Sequence, residues 1–270
     1  VGRVLILSSF VASSGVGGYA QSHVLSAMGH EPVLAPTVLF GRHPGLGPPG
    51  GAAVAAEVFE GVLDGVERQG GFGRFDLVMT GYFADPRQAV AAVRVIDAAR
   101  AHPHVRVLVD PVMGDAGKGL YVRPEVAEVI RNELAPRADI LTPNRWELGF
   151  LTGEEIAGVK DAVRVARRFG GCVAMTSAPV QGGRTGVLAM DGEARLYGHA
   201  AAASAPNGTG DLFSALMAGA LLDGQAFCDA VRRATGGVAD AVSAATDALP
   251  LAALASHWRA PRSEIWLEAL

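Results

Sequence analysis

Val4-Leu5-Ile6-Leu7-Ser8-Ser9 is a short, unbroken apolar run that stops at two hydroxyls. A strand with one wet face alternates apolar and polar residues, whereas a parallel strand covered on both faces reads as a continuous run. The stretch therefore predicts a buried parallel strand near the start of the chain. The residues beyond it keep the alternation that such a sheet needs. A small-residue helix pattern over 18–28 closes at Gly29. Pro32 and Pro36 bracket a second strand, and a Gly/Pro-rich loop fills 41–51. Helix over 52–67, strand over 77–80, helix over 86–101 and strand over 105–109 come next. Asp85-Pro86 fits an N-cap with Pro at the first helical position. Then the pattern predicts helix 124–134, strand 139–141, helices 146–151 and 160–169, and strands 173–176, 186–190 and 194–197. The last two strands meet at Asp191-Gly192, a hairpin signal. Helices over 211–222 and 226–245 and a short helical piece over 263–270 complete the reading. The fold class is α/β, a mostly parallel central sheet with helices on both faces and an antiparallel edge, in one domain over 1–270.

Composition narrows the function. The 270 residues carry 23 Lys+Arg against 27 Asp+Glu, a net charge of −4, so there is no basic excess to hold nucleic acid or an anionic membrane. A hydrophobic fraction of 50% argues against disorder. Cys172 and Cys228 form no CxxC pair, and the expectation is two reduced thiols rather than a disulfide or a zinc site. The longest strongly apolar stretch, 212–222, is short of the ~20 residues that span a bilayer. With no basic leader before the first strand, the chain is expected to be soluble and cytoplasmic. Gly is the anomaly, at 35 residues, roughly double the usual ~7%.

In an open α/β sheet, ligands bind beyond the carboxyl ends of the strands. Ser9, Gly81-Tyr82, Asp110, Thr142-Pro143-Asn144 and Thr176-Ser177 all fall at such ends. The sharpest cluster is Asn207-Gly208-Thr209-Gly210-Asp211, which opens an apolar helix. Its glycines let successive amides of 208–210 point at one anion beside the positive end of the helix dipole. Asp211 is then either a helix N-cap or a base that takes a hydroxyl proton during phosphoryl transfer. The dipole itself favours the ionised carboxylate and so works against a base. In Asp110-Pro111-Val112-Met113-Gly114-Asp115-Ala116-Gly117-Lys118-Gly119, Asp110 and Asp115 supply hard oxygen ligands for Mg²⁺ or a monovalent cation. The glycines around Lys118 allow a flap that approaches a phosphate, and the spacing is not that of a Walker P-loop. In Thr142-Pro143-Asn144-Arg145-Trp146-Glu147, Glu147 is either a capping-box residue or a holder of a hydrated metal ion.

Together these clusters resemble the ribokinase-like superfamily of small-molecule kinases, and within it the pyridoxal kinases. The resemblance runs from Arg3-Val4-Leu5-Ile6 to the helices after Asp211. It is carried by Asp110 to Asp115, by Thr142-Pro143-Asn144 with Glu147, and by Gly208-Thr209-Gly210-Asp211; Val16-Gly17, Phe40 and Gly81-Tyr82 make it more specific. It implies the ribokinase-like three-layer sandwich and ATP-dependent phosphorylation of the 5′-hydroxymethyl group of pyridoxal, pyridoxine or pyridoxamine. It implies Asp211 as base and Gly208, Thr209 and Gly210 as the anion hole. Asp110 and Glu147 would hold Mg²⁺, with Asp115 near a monovalent cation such as K⁺. Thr176 and Ser177 would touch the ATP phosphates, with Thr142 and Asn144 beside them, under a flap of Gly117, Lys118 and Gly119. Ser9, Val16, Phe40, His43 and Tyr82 would line the vitamin pocket, and the molecule would be a homodimer.

The departures fall at the vitamin end. The family commonly has Ser-His after the first strand and an Asn-His-Thr-Gly run later, where this chain reads Ser9-Phe10 and Arg42-His43-Pro44-Gly45. Pro44 removes a hydroxyl and an amide donor. Two alternatives stand beside the pyridoxal kinase reading. A hydroxymethylpyrimidine-type kinase resembles this chain too, but that family favours Cys where Asp211 stands. A catalytically idle pyridoxal-binding carrier would not need the intact GTGD and DPVMGD runs. The remaining histidines are scattered, without metal-ligand spacing, and are expected on the surface or in loops. Trp258 and Trp266 are expected to pack the tail against the body.

Overall fold

The computed structural model describes residues 1–180, 182–202 and 204–270. The first half runs β1 (Arg3–Val11), α1 (Gly17–Ala27), β2 (Glu31–Phe40), β3 (Gly51–Ala53), α2 (Ala56–Arg68), β4 (Leu77–Thr80), α3 (Pro86–Ala99) and β5 (Arg106–Val109). A small hairpin, β6 (Gly114–Asp115) and β7 (Gly119–Leu120), precedes α4 (Pro124–Val129), β8 (Ile140–Leu141), α5 (Arg145–Thr152), α6 (Val159–Ala166) and β9 (Cys172–Met175). The rest is β10 (Arg184–Asp191), β11 (Glu193–Ala200), α7 (Thr209–Leu222), α8 (Phe227–Ala244), α9 (Ala255–Arg259) and β12 (Trp266–Ala269).

One ten-stranded sheet has the order β12-β11-β10-β9-β8-β5-β4-β1-β2-β3. Its centre is parallel, from β2 through β1, β4, β5 and β8 to β9, and both margins are antiparallel. The opening run behaves as its pattern predicts. Leu5 and Leu7 pack with Phe59, Ile96, Val126, Leu148 and Val165 of α2 to α6. Val4 and Ile6 pack on the opposite side with Leu25, Leu212, Leu216 and Val231 of α1, α7 and α8. That makes three layers, with both sheet faces dry. Strand order reverses at β1, because β2 lies on one side of it and β4 on the other. The carboxyl ends of β1, β4, β5 and β8 therefore open into one crevice.

Three expectations need correction. The tail over 263–270 is not helical: Trp266–Ala269 pairs antiparallel with β11. The edge of β11 supplies a ready ladder for it, and pairing there overrides the local pattern. The second strand continues to Phe40, because its partner β1 pairs as far as Val11 with Phe40 across a bulge at Ser8/Phe10. Residues 51–53 form a strand, and α2 begins only at Ala56. Asp85 does cap α3, in a capping box with Gln88. Among the described residues, no helix is long and apolar enough to cross a membrane.

Candidate active site

The helix α7 starts from Gly208, whose φ of +96° only glycine adopts without strain. A Cβ there would collide with the Gly15 carbonyl oxygen, so the GTGD loop lies directly against the loop after β1. Asp211 sits in the first turn of α7, three residues beyond the cap, and no side chain caps this helix. The N-cap reading of Asp211 is thereby removed. The amide of Gly17, first residue of α1, hydrogen-bonds the Asp211 carboxylate. Two helix N-termini thus converge on one carboxylate. Burial still wins: desolvation pushes Asp211 up to about 6, against the pull of the Gly17 amide. A carboxylate in that range is closer to the strength a base needs at neutral pH.

Below it lies an acidic floor. Asp110 leaves the end of β5, its amide donating to the Thr80 carbonyl (3.3 Å). Burial, then the charges of Glu147 and Asp211, hold the Asp110 carboxyl well above the ordinary range, while the hydroxyls of Ser214 and Thr142 act the other way. Glu147 is pushed up to about 8, chiefly by burial. It is also a capping-box residue: the Asn144 amide donates to Glu147 Oε2 (2.8 Å) and the Glu147 amide to Asn144 Oδ1 (2.9 Å). The Met113 amide adds a bond to Glu147 Oε1 (3.1 Å). The capping-box reading of Glu147 therefore holds, and the cap fixes its carboxylate beside Asp110. Among the described residues, no three His, Cys, Asp or Glu side chains are grouped to ligate a metal directly. The floor nevertheless fits a hydrated hard cation. Its donors are all oxygen, its two buried carboxyls lack a counter-charge, and Thr80 Oγ1 and Gln21 Oε1 are buried without partners.

The other predicted residues surround this centre. Asn144 Nδ2 donates to the Gly114 carbonyl (2.9 Å), tying α5 to the hairpin, and Asn144 bridges to Thr176. Thr176 donates its amide to Pro143 (2.9 Å), and Ser177 holds a φ of 53°, a left-handed conformation that costs a non-glycine residue energy. Gly117 and Lys118 lie in the turn of the β6–β7 hairpin and Gly119 opens β7, with positive φ at both glycines. Asp115 is exposed, its Oδ1 accepts from Ala116 (2.7 Å), and its charge still raises Glu147. Ser9 is buried with Oγ against Gly17, and Val16 immediately precedes α1. Phe40 ends β2, and Tyr82 follows β4 with its hydroxyl pushed up by burial. His43, Val16 and Asn207 line an open cleft of about 560 Å³ together with the segment 247–253, and Ser9, Phe40 and Tyr82 do not line it. A larger cavity, about 840 Å³, lies between α6 and β12, and none of the predicted site residues lines it. Phe10 packs edge-on against Tyr19, with ring centroids 5.6 Å apart.

Sequence reading missed Gln21, Ser214 and Tyr121, and it quoted Gly17 and Asn207 without giving either a role of its own. Ser214 lies three residues after Asp211, on the same helix face, a spacing that could have found it. Gln21 donates to Ser214 Oγ (3.3 Å) across 193 residues, which no local pattern signals. Tyr121 is 48% exposed as a residue, yet its hydroxyl is pushed far up by desolvation and by the charges of Glu147, Asp110 and Asp211. His30 lies in the loop between α1 and β2, as expected, but not at the surface. It is buried, with the Gly2 amide donating to its Nδ1 (3.1 Å).

The family model for phosphomethylpyrimidine kinase matches residues 75–252. A pyridoxine/pyridoxal/pyridoxamine kinase of Bordetella avium is 39% identical over 230 residues, covering 82% of this chain and 78% of that protein. The chain belongs to the pyridoxal kinase family. A second such kinase, from Bordetella bronchiseptica, is 34% identical over 255 residues and covers 91% of this chain and 90% of its own. A pyridoxal kinase structure from Entamoeba histolytica superposes with a TM-score of 0.93 at 23% identity, covering 100% of both chains. The pyridoxal kinase fold, a ribokinase-like three-layer sandwich, is therefore the fold of this chain.

Proposed function

We propose that the chain transfers the γ-phosphoryl group of ATP to the 5′-hydroxymethyl group of pyridoxal, giving pyridoxal 5′-phosphate by direct in-line displacement. Kinship with the pyridoxine/pyridoxal/pyridoxamine kinases supports the reaction. The observation that carries it is Asp211, a carboxylate at about 6 set among the amides of two helix N-termini. Asp211 accepts the hydroxyl proton as the oxygen attacks. Gly208, Thr209 and Gly210 aim their amides at the transferring group, where charge develops. Positioning carries most of the rate, because a loose transition state asks little of the base.

Asp110 and Glu147 would hold a hydrated Mg²⁺, which neutralises phosphate charge when bound. Thr142, Asn144, Thr176 and Ser177 would orient the nucleotide phosphates. Asp115 would attend a monovalent cation such as K⁺ at the flap. Ser9, Val16, Phe40, His43 and Tyr82 would hold the vitamin, and the hairpin turn with Lys118 would close over the phosphates. We read the chain as one kinase domain over 1–270, a reading supported by the single ten-stranded sheet that runs through it. It would act in the cytoplasm as a homodimer.

A hydroxymethylpyrimidine kinase is the second reading, favoured by the match to the phosphomethylpyrimidine kinase model. Asp211 weighs against it. The deciding assay incubates the protein with Mg-ATP and each of pyridoxal, pyridoxine, pyridoxamine and hydroxymethylpyrimidine. Phosphorylation of the vitamers ahead of the pyrimidine is expected, and the reverse order would overturn the substrate assignment.

A further inference from the structure

Asn207 immediately precedes the cap of α7, and its side chain reaches across to the loop after β2. His43 Nδ1 there meets two donors, the Gly45 amide at 3.0 Å and Asn207 Nδ2 at 3.4 Å. A main-chain amide can only donate, so Nδ1 must be the bare, accepting nitrogen. A neutral imidazole in that position carries its hydrogen on Nε2. The surroundings favour the neutral ring: burial and the Lys118 ammonium of the flap both disfavour the imidazolium. The remaining titratable groups on the same cleft are Tyr19, His23 and Asp247. Ser14 Oγ accepts from the His43 amide (3.3 Å) and anchors the loop from the β1 side.

We propose that Asn207 is a positioning residue: with the Gly45 amide it holds His43 as the Nε2–H tautomer, so that the loop after β2 offers an N–H donor to an acceptor oxygen of the bound vitamin. The inference rests on the kinase reading above, since it takes the vitamin as the ligand of this cleft. It gives Asn207 a role at the junction of two subsites. The residue that orients the vitamin's partner is joined through one peptide bond to Gly208 of the anion cradle. A vitamin group that carries only donors, such as an ammonium, would find no match at Nε2.

Two measurements on the full chain test this. Long-range ¹⁵N–¹H spectra of the imidazoles, with His43→Gln to identify the ring, report the tautomer without any turnover. Wild type is expected to show the hydrogen of His43 on Nε2 at neutral pH. Asn207→Asp, which sets a charged acceptor against Nδ1, is expected to bring a hydrogen to Nδ1 and to turn the ring off the Gly45 amide. In steady-state assays the same variant should raise KM for pyridoxal about tenfold, the worth of one hydrogen bond, while KM for ATP stays as in wild type. A hydrogen on Nδ1 in wild type, or an Asn207→Asp variant with the wild-type spectrum and wild-type KM for pyridoxal, would overturn the proposal. A wild-type protein that has the expected tautomer yet phosphorylates no vitamer would overturn the kinase reading instead.

Discussion

Asp211 stands where two helix dipoles favour its charge, yet burial raises it to about 6. A base must be deprotonated to act, so kcat/KM is expected to fall as pH drops through about 6, and an acid limb near the ordinary carboxylate value of about 4 would contradict this. Glu147 has the opposite consequence for stability. Its folded-state value, about 8, exceeds that of an unfolded glutamate, so the folded chain keeps a proton that the unfolded chain has lost. Stability is thus expected to fall as pH rises from about 4 to about 8 in metal-free buffer. Thermal unfolding across that range should show a shallower slope for Glu147→Gln, and an unchanged slope would contradict the assignment. Asp110, Glu147 and Asp211 were legible because each closes or opens a short motif. Gln21 and the bond from Gly17 to Asp211 were not, because these contacts to α7 join segments nearly two hundred positions apart.

The elements that matter most are those whose ends form the site. Gly208 needs its positive φ and has the Gly15 carbonyl where a Cβ would sit. Gly208→Ala is therefore expected to cost about 1–2 kcal/mol for the left-handed backbone alone, with more from the displaced loop. Urea unfolding and kcat should both register it, and a variant with wild-type values would mean the two loops are free to part. The cap of α3 offers a contrast away from the acidic floor: Asp85→Ala should lower stability by about 1 kcal/mol in the same unfolding assay. Helices with caps and strands with unbroken apolar runs were legible in the sequence. The strands of the main sheet missed outright, 51–53 and 266–269, lie at its two edges. There pairing with a distant partner decides the conformation, and local pattern does not.

At the scale of the whole molecule, the glycine excess has a structural address. Gly17, Gly117, Gly119 and Gly208 all take positive φ around the crevice. The layer of α1, α7 and α8 supports that crevice from behind. Trp258, fully buried with Nε1 donating to the Leu251 carbonyl (2.8 Å), fastens the tail to it. Trp258→Ala should cost about 3–5 kcal/mol in unfolding experiments, and a loss below 1 kcal/mol would show the tail to be dispensable. The sheet class and its mostly parallel order were legible from alternation. The convergence of α1 and α7 was not, because it depends on how the layer packs. On the proposed function, this crevice moves a phosphoryl group with Asp211 as the base. Mg-ATP and pyridoxal should be mixed with wild type and with Asp211→Asn, and pyridoxal 5′-phosphate followed by its absorbance. Wild type is expected to form product, and Asp211→Asn to lose about 10²–10⁴ in kcat with ATP binding retained. Absence of product from a wild-type protein that binds ATP, or equal kcat in the two proteins, would contradict it.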